Sequence, residues 1–185
     1  MSRILFYDTE TTGLPLFKEP LEHPEQPHIV QIAAILVDEK TRKTIQSIDL
    51  IIKPDGYEIP EEITQIHGID TAFASACGVP LMKAMSVFFH LWDGRKRVAY
   101  NESFDSRIVR IAQHKMGIEE KQLDEWKLAQ SECCMKMTQK IIGGKYPKLS
   151  EAYKHFMGKE LENAHSAMAD ALACRDIYFA IKDLP

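Results

Sequence analysis

The sequence predicts an α/β sandwich, a central mixed β-sheet flanked by helices. Three observations predict it. Apolar, strand-like segments crowd the N-terminal part of the chain, a short polar turn joins two of them, and helical patterns then alternate with a further apolar strand. At 185 residues and 45% hydrophobic composition the chain is long enough to bury one substantial core, and 1–185 reads as a single domain.

Residues 4–7 form a short apolar run that reads as a buried strand, followed by the turn-like Thr11-Thr12-Gly13-Leu14-Pro15. Residues 16–27, rich in Pro, Glu and His, read as a mobile surface loop. Residues 28–37 and 44–52 read as further strands around the polar turn Asp38-Glu39-Lys40, which favours an antiparallel meander of the first three strands. Pro60-Glu61-Glu62 suits a first helical turn, and Gly68 suits the end of that helix. A helix is predicted over 79–92, stopped by Asp93-Gly94, and a buried strand over 97–100. Ser103 is placed to cap a helix running to about Met116, with Gly117 ending it. Residues 131–142 and 148–157 read as helices separated by Gly143-Gly144 and Pro147, and a last helix runs over 166–182.

The net charge of −4 argues against a general duplex-coating protein, which would be basic. It leaves open a protein whose clustered carboxylates are neutralised by divalent ions. No apolar run reaches eighteen residues, so no transmembrane helix is expected. The first residues enter a strand without a signal-peptide pattern. Four scattered cysteines (Cys77, Cys133, Cys134 and Cys174) without metal-finger spacing read as reduced thiols of a cytoplasmic protein.

Chemistry concentrates at a few polar positions. Asp8 and Glu10 stand two apart at the end of an apolar strand, so the strand period puts both carboxylates on one face. Such a pair repels unless a cation lies between, and Mg²⁺ suits it, being a hard ion that prefers carboxylate oxygen. A solvated strand end is the competing reading. Asp105 falls in the first turn of its helix, where the dipole favours an ionised carboxylate with or without a further role. His165 and Asp170 are five apart, about 140° around a continuous helix, so both reach one site only if His165 lies on the loop before that helix.

These segments together resemble a known family. Tyr7-Asp8-Thr9-Glu10-Thr11-Thr12-Gly13-Leu14, Asn101-Glu102-Ser103-Phe104-Asp105 and His165-Ser166-Ala167-Met168-Ala169-Asp170 resemble, in order, the three motifs of DEDD 3′→5′ exonucleases. Ile66-His67-Gly68-Ile69 and Tyr146-Pro147-Lys148-Leu149-Ser150-Glu151-Ala152-Tyr153 look like segments of its proofreading, epsilon-subunit type. His165, five residues before Asp170, indicates the histidine branch.

The resemblance implies an RNase H-like fold and hydrolysis of single-stranded DNA from a free 3′ end, releasing nucleoside 5′-monophosphates. Two divalent cations would assist, Mg²⁺ with Mn²⁺ able to substitute. On that pattern Asp8 bridges both ions, Glu10 and Asp170 complete one site, and Asp105 holds the second through water. His165 would take the proton of the attacking water, a role suited to imidazole chemistry. Substrate contacts are expected at Thr11, Gly13, Leu14, His67, Asn101 and Phe104, with core packing as the alternative for Leu14 and Phe104 and a helix-end role for His67. Gln31 is a further candidate to face the site. Lys136, Lys140, Lys145, Lys148, Lys154 and Lys159 either hold phosphates or form solvated helix faces.

Other readings remain. An exoribonuclease would share the pocket and differ in how it receives the 2′-OH. An aspartate-nucleophile phosphatase also opens on an acidic pair, but typically has Asp where Glu10 stands and gives His165 no role. A non-catalytic binding module would leave crowded carboxylates without a cation. The chain ends soon after the last motif, without the tail by which proofreading subunits dock on a polymerase, which favours a free-standing nuclease or docking on a polymerase or replication partner through another surface.

Overall fold

The computed structural model describes residues 2–118 and 120–185, and within residues 120–123 the backbone alone. Its elements are β1 (Arg3–Thr11), β2 (Ile29–Asp38), β3 (Thr44–Ile51), α1 (Glu61–His67), α2 (Thr71–Cys77), α3 (Leu81–Trp92), β4 (Lys96–Ala99), α4 (Glu102–Lys115), α5 (Glu120–Leu128), β5 (Ser131–Cys133), α6 (Cys134–Ile142), α7 (Leu149–Met157) and α8 (Ala167–Lys182). The sheet runs β3-β2-β1-β4-β5. β1–β2 and β2–β3 are antiparallel, so the expected meander forms, while β4 and β5 join in parallel. The fold is α/β and RNase H-like, with a mixed sheet between helical layers.

β1 and β2 read as nearly unbroken apolar runs because both of their faces are covered. One face presents Leu5, Tyr7, Ile32, Ala34 and Leu36 to α3 and α4, where Trp126 of α5 completes the core. The other presents Ile4, Phe6, Ile35 and Val37 to α8, α7 and α6. Edge strand β3 is mostly exposed or half-buried.

Several boundaries differ from expectation. Residues 131–133 are not helical: they form β5 at the edge of the sheet, and helix begins only at Cys134. Helix α3 starts at Leu81, after Pro80, while Val79 bridges Ile52 in parallel. Asn101 replaces Ser103 as the N-cap of α4, and the Ser103 hydroxyl instead donates to Asn101 Oδ1 at 3.0 Å. α2 and α5 go beyond the elements expected from the sequence pattern. The 16–27 segment, expected to be mobile, is folded around Gln26, which is 1% exposed. The Gln26 amide accepts from Leu16 N–H at 3.0 Å and donates to the Leu16 and Pro20 carbonyls, and Arg107 donates to the Leu16 and Glu19 carbonyls. Among the described residues no helix is long and apolar enough to cross a membrane.

Candidate active site

The site lies where β1 ends. Asp8 and Glu10 pair with Ala33 and Gln31 of β2 and share the face covered by α8, as the strand period requires. The register shifts between Glu10 and Thr11, a local irregularity that turns the chain away just past the acidic pair. Asp170 enters from the first turn of α8. Asp8, Glu10 and Asp170 each place a ligand oxygen so that all three lie within 4.8 Å of one another.

Asp105 comes from the opposite layer. It is 3% exposed in the first turn of α4, and its Oδ1 accepts from Thr9 N–H at 3.1 Å and Thr9 Oγ1 at 2.8 Å. It stands outside the close trio, yet its charge is felt by Asp8 and Glu10. The four acidic residues therefore meet from both helical layers over one strand end.

The electrostatics are those of crowded, buried carboxylates. Burial, then the charges of Asp105, Asp170 and Glu10, hold the Asp8 carboxyl well above its ordinary range. Burial, then the charges of Asp170 and Asp105, push Glu10 up to about 8. Burial raises Asp105 to about 7 against the opposing Thr9 hydrogen bonds, and raises Asp170 to about 6 against the pull of His165. Asp170 Oδ1 is buried and has no hydrogen-bond partner among the described residues. Close oxygens, mutual repulsion and an unpartnered carboxylate atom together fit a divalent ion.

His165 is exposed, outside α8, with a left-handed backbone (φ 68°) on the loop that feeds the helix. That placement lets it share the site with Asp170, which a continuous helix would not allow. Its neighbour His67 is doubly placed. Nδ1 accepts from Ile69 N–H at 3.1 Å, satisfying the end of α1, and this leaves the proton on Nε2, which is buried beside the Thr11 backbone with no side-chain or backbone acceptor assigned to it among the described residues.

The expected substrate contacts separate. Leu14, just past the Gly13 turn that follows β1, is 80% exposed, so core packing does not explain it. Thr11 turns inward, its hydroxyl donating to the Gly13 carbonyl at 2.7 Å, so its side chain shapes the turn rather than facing outward. A side chain at Gly13 would point into open space. Asn101 ends the loop into α4, and Phe104 is partly buried against the α3–α4 core. Gln31 is 7% exposed and hydrogen-bonded within the protein. Thr9, which clamps Asp105, carries no sequence signal beyond its position between Asp8 and Glu10, which aims it at the opposite layer. Two hollows of about 550 and 800 Å³ lie on the α3–α4 side and contain none of the clustered carboxylates.

An RNase H-like sheet carrying this acidic cluster defines a nuclease-type domain. The sequence profile of the exonuclease family RNase_T matches residues 5–178, and the chain belongs to that family. Among solved structures it resembles E. coli exonuclease I in complex with a dT13 oligonucleotide, with 23% identity and a TM-score of 0.79, over 99% of this chain and 41% of that one. The moderately thermophilic exonuclease I of Methylocaldum szegediense aligns with 20% identity and a TM-score of 0.77, over 99% of this chain and 41% of that one. The chain thus spans about two fifths of the exonuclease I chains it matches. No curated protein sequence matches significantly.

Proposed function

We propose that the domain is a 3′→5′ exonuclease that removes nucleoside 5′-monophosphates from single-stranded DNA, assisted by two divalent cations, Mg²⁺ or Mn²⁺. The observation that carries the reading is the convergence of Asp8, Glu10 and Asp170 within 4.8 Å, with His165 on the adjoining loop. The structural relatives support it: exonuclease I has been solved with dT13 and dA16 oligonucleotides, with product, and in a zinc-bound form with single-stranded DNA.

In this reading Asp8, Glu10 and Asp170 hold the cations, and Asp105 adds charge from the α4 side. Bound cations would supply neutralisation of the phosphate and stabilisation of the attacking and leaving oxygens. A ring nitrogen of His165 accepts the proton of the attacking water, from a loop position free to approach the scissile phosphate. Exposed Leu14 offers an apolar edge to the terminal base, and such contact tolerates any sequence. His67 Nε2–H, buried beside the Thr11 backbone, braces the turn that follows the acidic pair.

Labelled single-stranded DNA, RNA and mismatched duplex, each with Mg²⁺, Mn²⁺ or chelator, test the proposal. Metal-dependent shortening of DNA from its 3′ end is expected. Metal-independent cleavage, internal cuts or digestion from the 5′ end would reject it, and faster loss of RNA would reassign the substrate.

A further inference from the structure

We propose that Gln31 is a positioning residue: from β2 it tethers the first turn of α8 and so sets where Asp170 stands against Asp8 and Glu10. The inference rests on the proposed cation-binding role of those carboxylates, and it assigns Gln31 a part that substrate contact does not.

Gln31 lies directly opposite Glu10 in the β1–β2 register, on the face where the acidic trio forms. Its Oε1 accepts from the backbone N–H of Ala167 at 3.2 Å, and its Nε2 donates to Asp49 Oδ1 at 2.7 Å. Ala167 is the first residue of α8 and fully buried, so its N–H is one of the donors that a helix start leaves without an internal partner. Ser166, at the N-cap, makes no side-chain cap, and the glutamine from the neighbouring layer takes its place.

Asp49 decides which way the amide points. An ionised carboxylate only accepts, so it holds Nε2 and leaves Oε1 to face Ala167. The relay Asp49–Gln31–Ala167 thus runs from the edge strand to the helix start, between His165 and Asp170. A hydrogen bond made directly to a metal-ligating group is worth roughly 10- to 100-fold in metal affinity; Gln31 acts one step further back, through the helix start that carries Asp170, so the low end of that range is expected.

The test compares Gln31→Leu, Gln31→Glu, Asp49→Ala and the double variant Gln31→Glu/Asp49→Asn with wild type. Readouts are Mn²⁺ affinity by electron paramagnetic resonance and amide exchange at Ala167. Gln31→Leu should raise the Mn²⁺ dissociation constant roughly tenfold and speed Ala167 exchange. Gln31→Glu faces Asp49 with a second carboxylate, which pushes the side chain off Ala167 and should speed Ala167 exchange, while the double variant restores a donor at position 49 and recovers slow exchange.

Asp49 is exposed, so Asp49→Ala carries the test should Gln31→Leu fail to fold; it should lose affinity in the same direction by a smaller factor. Mn²⁺ affinity within about twofold of wild type in a folded Gln31→Leu, or no recovery in the double variant, overturns the proposal, because a supporting hydrogen bond is worth more than that. Failure of the nuclease reading looks different: wild type itself would bind no Mn²⁺ and Asp170→Asn would change nothing. Faster Ala167 exchange in Gln31→Leu would then still establish the tether, and unchanged exchange would reject it.

Discussion

The Thr9 hydroxyl and backbone N–H both donate to one oxygen of Asp105, at 2.8 and 3.1 Å. Thr9 sits between Asp8 and Glu10 on the strand but points to the opposite face. The same three residues therefore supply two carboxylates to one layer and a clamp for a third carboxylate from the other.

Thr9→Val removes the hydroxyl donor and leaves the backbone bond. These hydrogen bonds oppose the burial that already pushes Asp105 to about 7, so its carboxyl should hold its proton to still higher pH. At subsaturating metal we expect a roughly tenfold loss of activity at about pH 7, shrinking by about pH 8.5, in line with a lost hydrogen bond to a charged group. Superimposable pH–rate profiles would show that the hydroxyl does not tune Asp105.

His165→Ala should lose at least about 10²-fold in turnover, the usual effect of removing a general base. Binding of single-stranded DNA and Mn²⁺ should persist, because His165 lies outside the carboxylate trio. Near-normal turnover would take His165 out of the catalytic role.

Metal-free protein should lose stability as pH rises. Folded values of about 6 for Asp170, 7 for Asp105 and 8 for Glu10 lie above their ordinary values of 3.8, 3.8 and 4.5. The folded state thus binds more protons than the unfolded one across about pH 4 to 8, and stability present below that window drains away through it. Thermal melts with chelator should fall across this range, and Mg²⁺ should flatten the fall. Glu10→Gln should stabilise the metal-free protein at about pH 8 by on the order of 2 kcal/mol, about half of what the shift converts to, since the carboxyl is partly solvated. A melting temperature that is flat with pH would contradict the crowding.

Behind Asp105, Arg97 is 1% exposed and forms a 3.0 Å ion pair with Glu102 in the first turn of α4. Its guanidinium also lies 4.0 Å from the Trp126 ring, whose Nε1 donates to Ser106 Oγ. Breaking a buried pair from one side costs about 3–5 kcal/mol, so Arg97→Ala should lower the denaturation midpoint steeply. A change under about 1 kcal/mol would mean that Glu102 is freely resolvated.

Lys145 and Lys148 are exposed, with no carboxylate salt bridge among the described residues, near the carbonyl of Pro147 that Tyr100 holds at 2.7 Å. By contrast Lys154 is paired with Glu160. Replacing Lys145 and Lys148 with alanine should flatten the salt dependence of DNA binding by roughly 0.7 in slope for each phosphate that is no longer neutralised. An unchanged slope would assign these lysines to a solvated surface.

The sequence alone determined the parts that local periodicity controls. Alternation along β1 put Asp8 and Glu10 on one face, apolar runs marked the buried strands, and the spacing of His165 and Asp170 required a loop before the last helix. It also carried the ordered motifs that mark the family. Local pattern was silent where long-range packing decides. α2 is a run of small residues whose only strong signal is the Asp70 cap, and α5 is largely charged, yet its Trp126 fills the centre of one core layer. Three residues of β5 merge with the following helix in any periodicity reading, and only the free edge of β4 draws them into the sheet.

The tertiary structure alone decided that Asp105 is gripped by Thr9 and that Gln31 faces the start of α8 rather than an open groove. Those hydrogen bonds join residues 96 and 136 positions apart. Their reason is physical: a buried donor or acceptor must be paired, and which partner stands within reach is set by how the layers pack.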